Sequence, residues 1–193
     1  MKNTGKLKRF ITGMLNDGLN ELLTYHGVHH TLHVLNVCQQ YIKRMQVPPH
    51  EAYLLRTAAL MHDTGYIVSS HNHEEESVKI TRKLLPEWDY SDVEIARING
   101  MIRATKIPQK PLNILECILA DSDLDYLGTE AFYPISQTLY QELLNLSVIH
   151  SHEEWNKLQI KFLQNHSYHT PYAKKYREPV KQKYLAELLK SQS

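Results

Sequence analysis

Ala58-Ala59-Leu60-Met61-His62-Asp63-Thr64-Gly65 sets a histidine and an aspartate side by side at the end of an apolar segment, and the rest of the chain reads outward from that pair. Over Pro49–Asp63 the helical spacing carries Leu55, Ala58 and Ala59 to His62, with Asp63 one turn beyond Ala59, so both polar residues fall at the inner edge of that helix. The small alanines leave room beside them. An imidazole nitrogen and a carboxylate oxygen on neighbouring positions are two unlike donors for one divalent cation.

Two further segments supply more donors of the same kind. In Tyr25-His26-Gly27-Val28-His29-His30-Thr31, His30 lies one turn before Val34 on the apolar stripe Val34, Val37, Cys38, Tyr41 and Met45 of a helix expected over Thr31–Met45, while His29 and His33 follow the polar stripe. In Asp121-Ser122-Asp123-Leu124-Asp125, Asp121 continues the stripe Ile114, Cys117 and Ile118 of a helix expected over Leu112–Tyr126. Asp125 extends that stripe and stands in reserve; Asp123 falls on the other side. A carboxylate on a buried stripe needs a compensating cation, and a metal shared by His30, His62, Asp63 and Asp121 supplies it if the three helices converge. The plainer alternative makes each histidine a hydrogen-bonded core residue and the aspartates a helix end before Gly128.

The remainder of the chain is punctuated as helices. Asn72 with Glu75, Ser91 with Glu94 and Ser151 with Glu154 have capping-box spacing, and Thr170-Pro171 reads as an N-cap followed by proline at the first helical position. Further helices are expected over Leu7–Leu23 and Glu130–Leu146, with breaks at Pro48-Pro49, Gly65, Pro108–Pro111 and Gly128. No sustained alternation marks a strand, so the fold class is all-α, a bundle of roughly eight helices in a single domain. Its core spans residues 24–126, with the N-terminal helix 7–23 and C-terminal helices 130–190 expected to pack on it.

With 22 Lys and Arg against 21 Asp and Glu in 193 residues, the chain has no single-signed block such as an extended nucleic-acid or membrane-surface binder needs. A small anionic substrate fits this balance. Cys38 and Cys117 have no paired spacing, and MKNTGKLKRF lacks the apolar core of a signal peptide, so a cytoplasmic protein with reduced thiols is expected.

In the order YHGVHHT, MHDTG, LADSDLDYLG, the sequence resembles the H…HD…D signature of the HD-domain metal-dependent phosphohydrolases. That resemblance implies a helical bundle in which His30, His62, Asp63 and Asp121 bind a divalent cation. The YHGVHH segment is also similar to the YHNxxH motif of cyclic-nucleotide phosphodiesterases, which implies His26 as the general acid, although Gly27 replaces the motif's asparagine. In dinuclear relatives extra histidines hold a second metal; His73 matches the first of these, but Ala104 and Thr105 stand where the other is expected, so a second metal is expected to be weak or absent.

His73 is instead a candidate contact for substrate phosphate, as are Arg103 and Lys106 near the break before Pro111. Lys110 reads as surface charge. Two imidazoles with two carboxylates suit Mn, Fe, Co, Ni or Zn better than Mg. The expected reaction is attack on phosphorus by a metal-activated water, with Asp63 among the groups that orient or deprotonate it. The expected partner is a small phosphorylated compound such as a nucleotide, and a homo-oligomer is compatible with the sequence. The competing reading is a regulatory module that binds metal and nucleotide without turnover.

Overall fold

Ser91 shows how closely local chemistry sets the elements of the computed structural model, which describes residues 4–191. Its hydroxyl accepts from the Glu94 backbone N–H at 3.3 Å while the Glu94 carboxylate accepts from the Ser91 N–H at 2.8 Å, and this reciprocal cap starts a helix at Asp92. Such a cap contributes about 1 kcal/mol. Ser151 and Thr170 cap in the same sense, accepting from the backbone N–H of Glu154 and Ala173.

All regular structure among the described residues is helical: α1 (Thr4–Gly18), α2 (Val28–Arg44), α3 (Pro49–Met61), α4 (His73–Leu84), α5 (Asp92–Ala104), α6 (Ile114–Asp123), α7 (Phe132–Asn145), α8 (His152–Asn165), α9 (Pro171–Tyr176) and α10 (Glu178–Lys190). Short 3₁₀ turns cover Thr64–Ile67, Leu85–Trp88 and Asp125–Gly128. The all-α reading holds, with ten helices among the described residues rather than eight. By compactness the described residues gather into two units. One is formed by the residues up to Asn20 with His26–Asp123, the other by Glu21–Tyr25 with Leu124 onward.

In the first unit α2 packs on α3 and α6, α3 on α5, and α5 on α4 and α6. Val34, Val37, Cys38 and Tyr41 of α2 meet a core that includes Leu54, Leu55, Ala58 and Ala59 of α3, all buried. Burial pushes the Cys38 thiol up to about 12, so this cysteine is an inert core side chain. α6 is buried almost all round, through Leu115, Glu116, Ile118, Leu119, Ala120, Asp121 and Ser122. It ends at Asp123 rather than running to Tyr126, because Leu124 leaves helical geometry (φ −108°, ψ 16°) and a 3₁₀ turn follows.

The second unit is tied together by polar contacts of its C-terminal residues. Lys181 is fully buried; its ammonium donates to the His166 carbonyl oxygen and to Glu178 Oε1. The Tyr168 hydroxyl donates to the carbonyls of Leu124 and Asp125, and Arg177 Nε donates to Asp125 Oδ1 at 2.8 Å. No helix of the described residues is long and apolar enough to cross a membrane.

Candidate metal centre

The His-Asp doublet straddles a change of backbone. His62 closes α3 in helical geometry (φ −57°, ψ −37°) and Asp63 leads into the 3₁₀ turn (φ −106°, ψ 7°). The turn is held by short bonds: Thr64 Oγ1 donates to the Met61 carbonyl at 2.8 Å, the Gly65 N–H to Ser77 Oγ at 2.8 Å, and that hydroxyl to the His62 carbonyl at 2.6 Å. Gly65 has to be glycine here, since a Cβ would lie 1.9 Å from the His73 carbonyl oxygen and 2.7 Å from the Ser77 nitrogen. That close approach seats the start of α4 beside the doublet.

Four side-chain atoms converge from α2, α3, the turn and α6. His30 Nε2 lies 3.0 Å from Asp123 Oδ1, 3.3 Å from Asp63 Oδ2 and 3.4 Å from His62 Nε2; His62 Nε2 lies 3.2 Å from Asp63 Oδ2 and 3.5 Å from Asp123 Oδ1. Donors bonded at ~2.1 Å to one ion stand ~3.0 Å apart at right angles and ~3.4 Å apart at tetrahedral angles, so the spacings among His30, His62 and Asp123 match the inner shell of a cation, with Asp63 Oδ2 within 3.3 Å of both imidazoles. His30, His62 and Asp123 each offer an atom within 4.8 Å of the others. Asp63 Oδ2 is buried without a hydrogen-bond partner, which fits an oxygen that ligates a cation. His62 Nδ1 lies 2.9 Å from the Ala59 carbonyl, so Nδ1 carries a proton and the Nε2 lone pair faces the cluster.

The aspartate from α6 is Asp123, in place of the expected Asp121. The expectation assumed one buried stripe and one solvent face, but a helix buried on nearly all sides has no solvent face, and its last residue can point inward as well as Asp121 does. Asp121 is fully buried within α6, and the reserve candidate Asp125 binds Arg177. His30 points inward as expected; His29 is exposed and His33 half-buried.

The electrostatics favour a positive charge at this point. Burial alone would push the His62 imidazole down, but Asp63 and Asp123 more than offset it and hold it well above its ordinary 6.5. Burial would likewise raise both carboxylates, yet the facing histidines hold Asp63 and Asp123 well below their ordinary 3.8. Without a cation, the His62 ion pairs therefore stabilise the fold fully below 6.5 and lose that contribution as the pH rises through the raised His62 value. The carboxylates' share is present above 3.8 and is lost as the pH falls through their lowered values.

A cation has to displace the His62 proton. Added Mn²⁺ is accordingly expected to raise Tm more at pH 8 than at pH 6 in thermal unfolding of the metal-stripped protein. Equal shifts at the two pH values contradict a site shared between proton and metal.

A family model described as HD domain matches residues 27–124, which span the whole donor set from His30 to Asp123. The chain belongs to the HD-domain family. The crystal structure of a predicted HD superfamily hydrolase from an uncultured Thermotogales bacterium is similar to it over 95% of this chain and 89% of that one, with a TM-score of 0.62 and 18% identity. At that identity the likeness speaks for the fold. No curated protein matches the chain.

Around the HD-domain centre lie the other candidate residues. His73, the first residue of α4, puts Nε2 at 3.5 Å from Asp63 Oδ1 and 3.7 Å from Glu74 Oε1, and burial pushes its pKa below the ordinary value despite those carboxylates. The His26 ring sits 5.8 Å from that of His30 and its Nε2 lies 3.0 Å from the Tyr66 hydroxyl. Tyr66 escaped the sequence reading because a lone tyrosine after a helix break carries no ligand signature.

Arg103 and Lys106 are both anchored to the start of α4. Arg103 grips Glu75 through two bonds of 2.6 and 2.9 Å, and Lys106 Nζ donates to Asn72 Oδ1 at 2.5 Å. The pair read from sequence as a capping box thus serves as two anchors, while Asn72 enters α4 with a left-handed backbone (φ 58°) and no side-chain cap. Arg103, Lys106 and Lys110 also line a cavity of about 350 Å³ with Ile107, Pro108 and Leu112.

Proposed function

We propose that this protein is a metal-dependent phosphohydrolase that cleaves a phosphomonoester or phosphodiester bond in a nucleotide or a similar small phosphorylated compound. The observation that carries this reading is the convergence of His30, His62 and Asp123 with the mutual spacing of an inner coordination shell, and of Asp63 Oδ2 within 3.3 Å of both imidazoles. The HD-domain match and the likeness to a protein described as a predicted hydrolase support it.

His30, His62, Asp63 and Asp123 would hold the cation, and the mixed nitrogen and oxygen donors favour Mn, Fe, Co, Ni or Zn over Mg. When bound, such an ion polarises a phosphoryl oxygen and lowers the pKa of water at the site. A single tightly held ion is proposed, since Ala104 and Thr105 offer no second imidazole.

The chain's own groups divide the proton work. Asp63 turns Oδ2 to the two imidazoles and Oδ1 towards His73, so it can orient and accept a proton from the attacking water. His26, beside His30, gives a proton to the leaving oxygen. His73, with its lowered pKa, serves as a neutral hydrogen-bond donor to phosphate. For a substrate that extends to the cavity at Arg103 and Lys106, these cations exchange Glu75 and Asn72 for anionic oxygens.

Phosphate release from a panel of nucleotides and phosphoesters tests the reading. Release that depends on Mn²⁺ and falls by at least about a hundredfold on chelation is expected. Release that ignores chelator overturns it, and tight nucleotide binding without product favours a regulatory module.

A further inference from the structure

The geometry points to a second binding site in the first unit, a trough along α5 that takes a single-chain anionic amphiphile such as a fatty acid, with its chain in an apolar cavity and its carboxylate on Lys106 and Lys110. Two cavities make the trough. One, of about 750 Å³, lies between α5, the start of α6 and the corner that joins α2 to α3; the other is the cavity of about 350 Å³ at Arg103 and Lys106. Gly100 and Glu116 line both, so the two run into each other. His30, His62, Asp63 and Asp123 line neither, which sets the trough apart from the metal centre.

The sequence of α5 lays out this surface. Val93, Ala96, Arg97, Gly100, Arg103 and Ala104 all face the trough and recur at three and four positions, the spacing of one helix face. From Val93 to Ala104 that face is roughly 17 Å long. Its middle is a glycine. A Cβ at Gly100 would stand 3.0 Å from Glu116 Oε1, so any larger side chain there narrows the passage between the two cavities.

The walls differ in character from end to end. Val93 and Leu112, 72% and 90% exposed, line the trough together with the exposed Ile107 and Ile114. Large apolar side chains gathered on one concave surface mark a site that something apolar covers. The charges of the larger cavity are already matched: Arg97 pairs with Glu51 at 3.4 Å, and the Glu116 carboxylate accepts from the Leu112 N–H and Asn113 Nδ2, both at 2.7 Å. At the other end Arg103 is held by Glu75, but Lys106 donates to the neutral amide of Asn72, which does not cancel its charge, and Lys110 adds a second cation.

An apolar stretch that ends in positive charge is the complement of an alkyl chain that ends in a carboxylate. Both volumes fall in the range of small-molecule sites, about 300–1,000 Å³. The apolar side chains line a recess rather than a protruding tip, which suits a single chain better than the face of a bilayer.

Isothermal titration of the metal-stripped protein with octanoate, decanoate and dodecanoate, each below its micelle concentration, tests the site. It reads binding alone, so its failure says nothing about phosphate release. Each two-carbon step is expected to tighten binding about tenfold as more methylenes leave water. Ala96→Trp sets an indole into the larger cavity from an exposed position, and is expected to weaken dodecanoate at least about tenfold with Tm unchanged. Lys106→Gln combined with Lys110→Gln is expected to weaken dodecanoate about tenfold and to leave dodecanol, which lacks the charge, unaffected. In methyl spectra of the parent, the signals of Ile107, Leu112 and Ile114 are expected to move as dodecanoate is added.

Affinity that ignores chain length or survives Ala96→Trp overturns the proposal, as do shifts confined to methyls elsewhere. A parent that ignores dodecanoate but dimerises through this face, with Ala96→Trp monomeric, overturns it in favour of a second copy. Binding to phosphatidylcholine vesicles that carry dodecanoate, without binding to the monomeric acid, overturns it in favour of a bilayer.

Discussion

Asp123→Ala is expected to lower divalent-metal affinity by more than about a hundredfold, while Asp121→Asn retains the metal. The two aspartates are two residues apart on α6, so the contrast separates them cleanly. Asp123 offers Oδ1 at 3.0 and 3.5 Å from the two imidazole nitrogens, and its removal leaves His30 and His62 with one carboxylate between them. Asp121 is fully buried, so its asparagine variant preserves volume while removing the charge. Titration of the stripped proteins with Mn²⁺ in a calorimeter reads both outcomes. Equal affinity in parent and Asp123→Ala would remove α6 from the site.

Gly65→Ala is expected to cost about 3 kcal/mol of stability, a fall in Tm on the order of 10 °C. The added methyl meets the His73 carbonyl oxygen at 1.9 Å and the Ser77 nitrogen at 2.7 Å. Both are backbone atoms, so no side-chain rotation relieves the clash and the start of α4 has to move. Differential scanning calorimetry checks it, and circular dichroism shows that the helices persist. A variant as stable as the parent would mean that α4 does not pack against the turn as described.

The helical architecture and most of the centre were legible in the sequence because they follow from period and charge. Ser91, Ser151 and Thr170 mark true helix starts, since a side-chain oxygen three residues before an orphan N–H is a local interaction. His30, His62 and Asp63 were found from the stripes they share with Val34 and Ala59.

What stayed hidden depends on neighbours far along the chain. α6 is enclosed on nearly every side, so its periodicity does not tell Asp121 from Asp123. Asn72 and Glu75 look like a cap but are drawn to Lys106 and Arg103. Gly65 reads only as a helix break, because its second role is contact with a helix that starts eight residues on.

The most direct test is the anomalous difference map of crystals of the Mn²⁺-loaded protein measured near the manganese edge. A single strong peak is expected among His30 Nε2, His62 Nε2, Asp63 Oδ2 and Asp123 Oδ1, about 2.1 Å from each. A fully loaded crystal whose peak lies elsewhere, or in which any two of these four atoms stand too far off to bind it, would contradict the account.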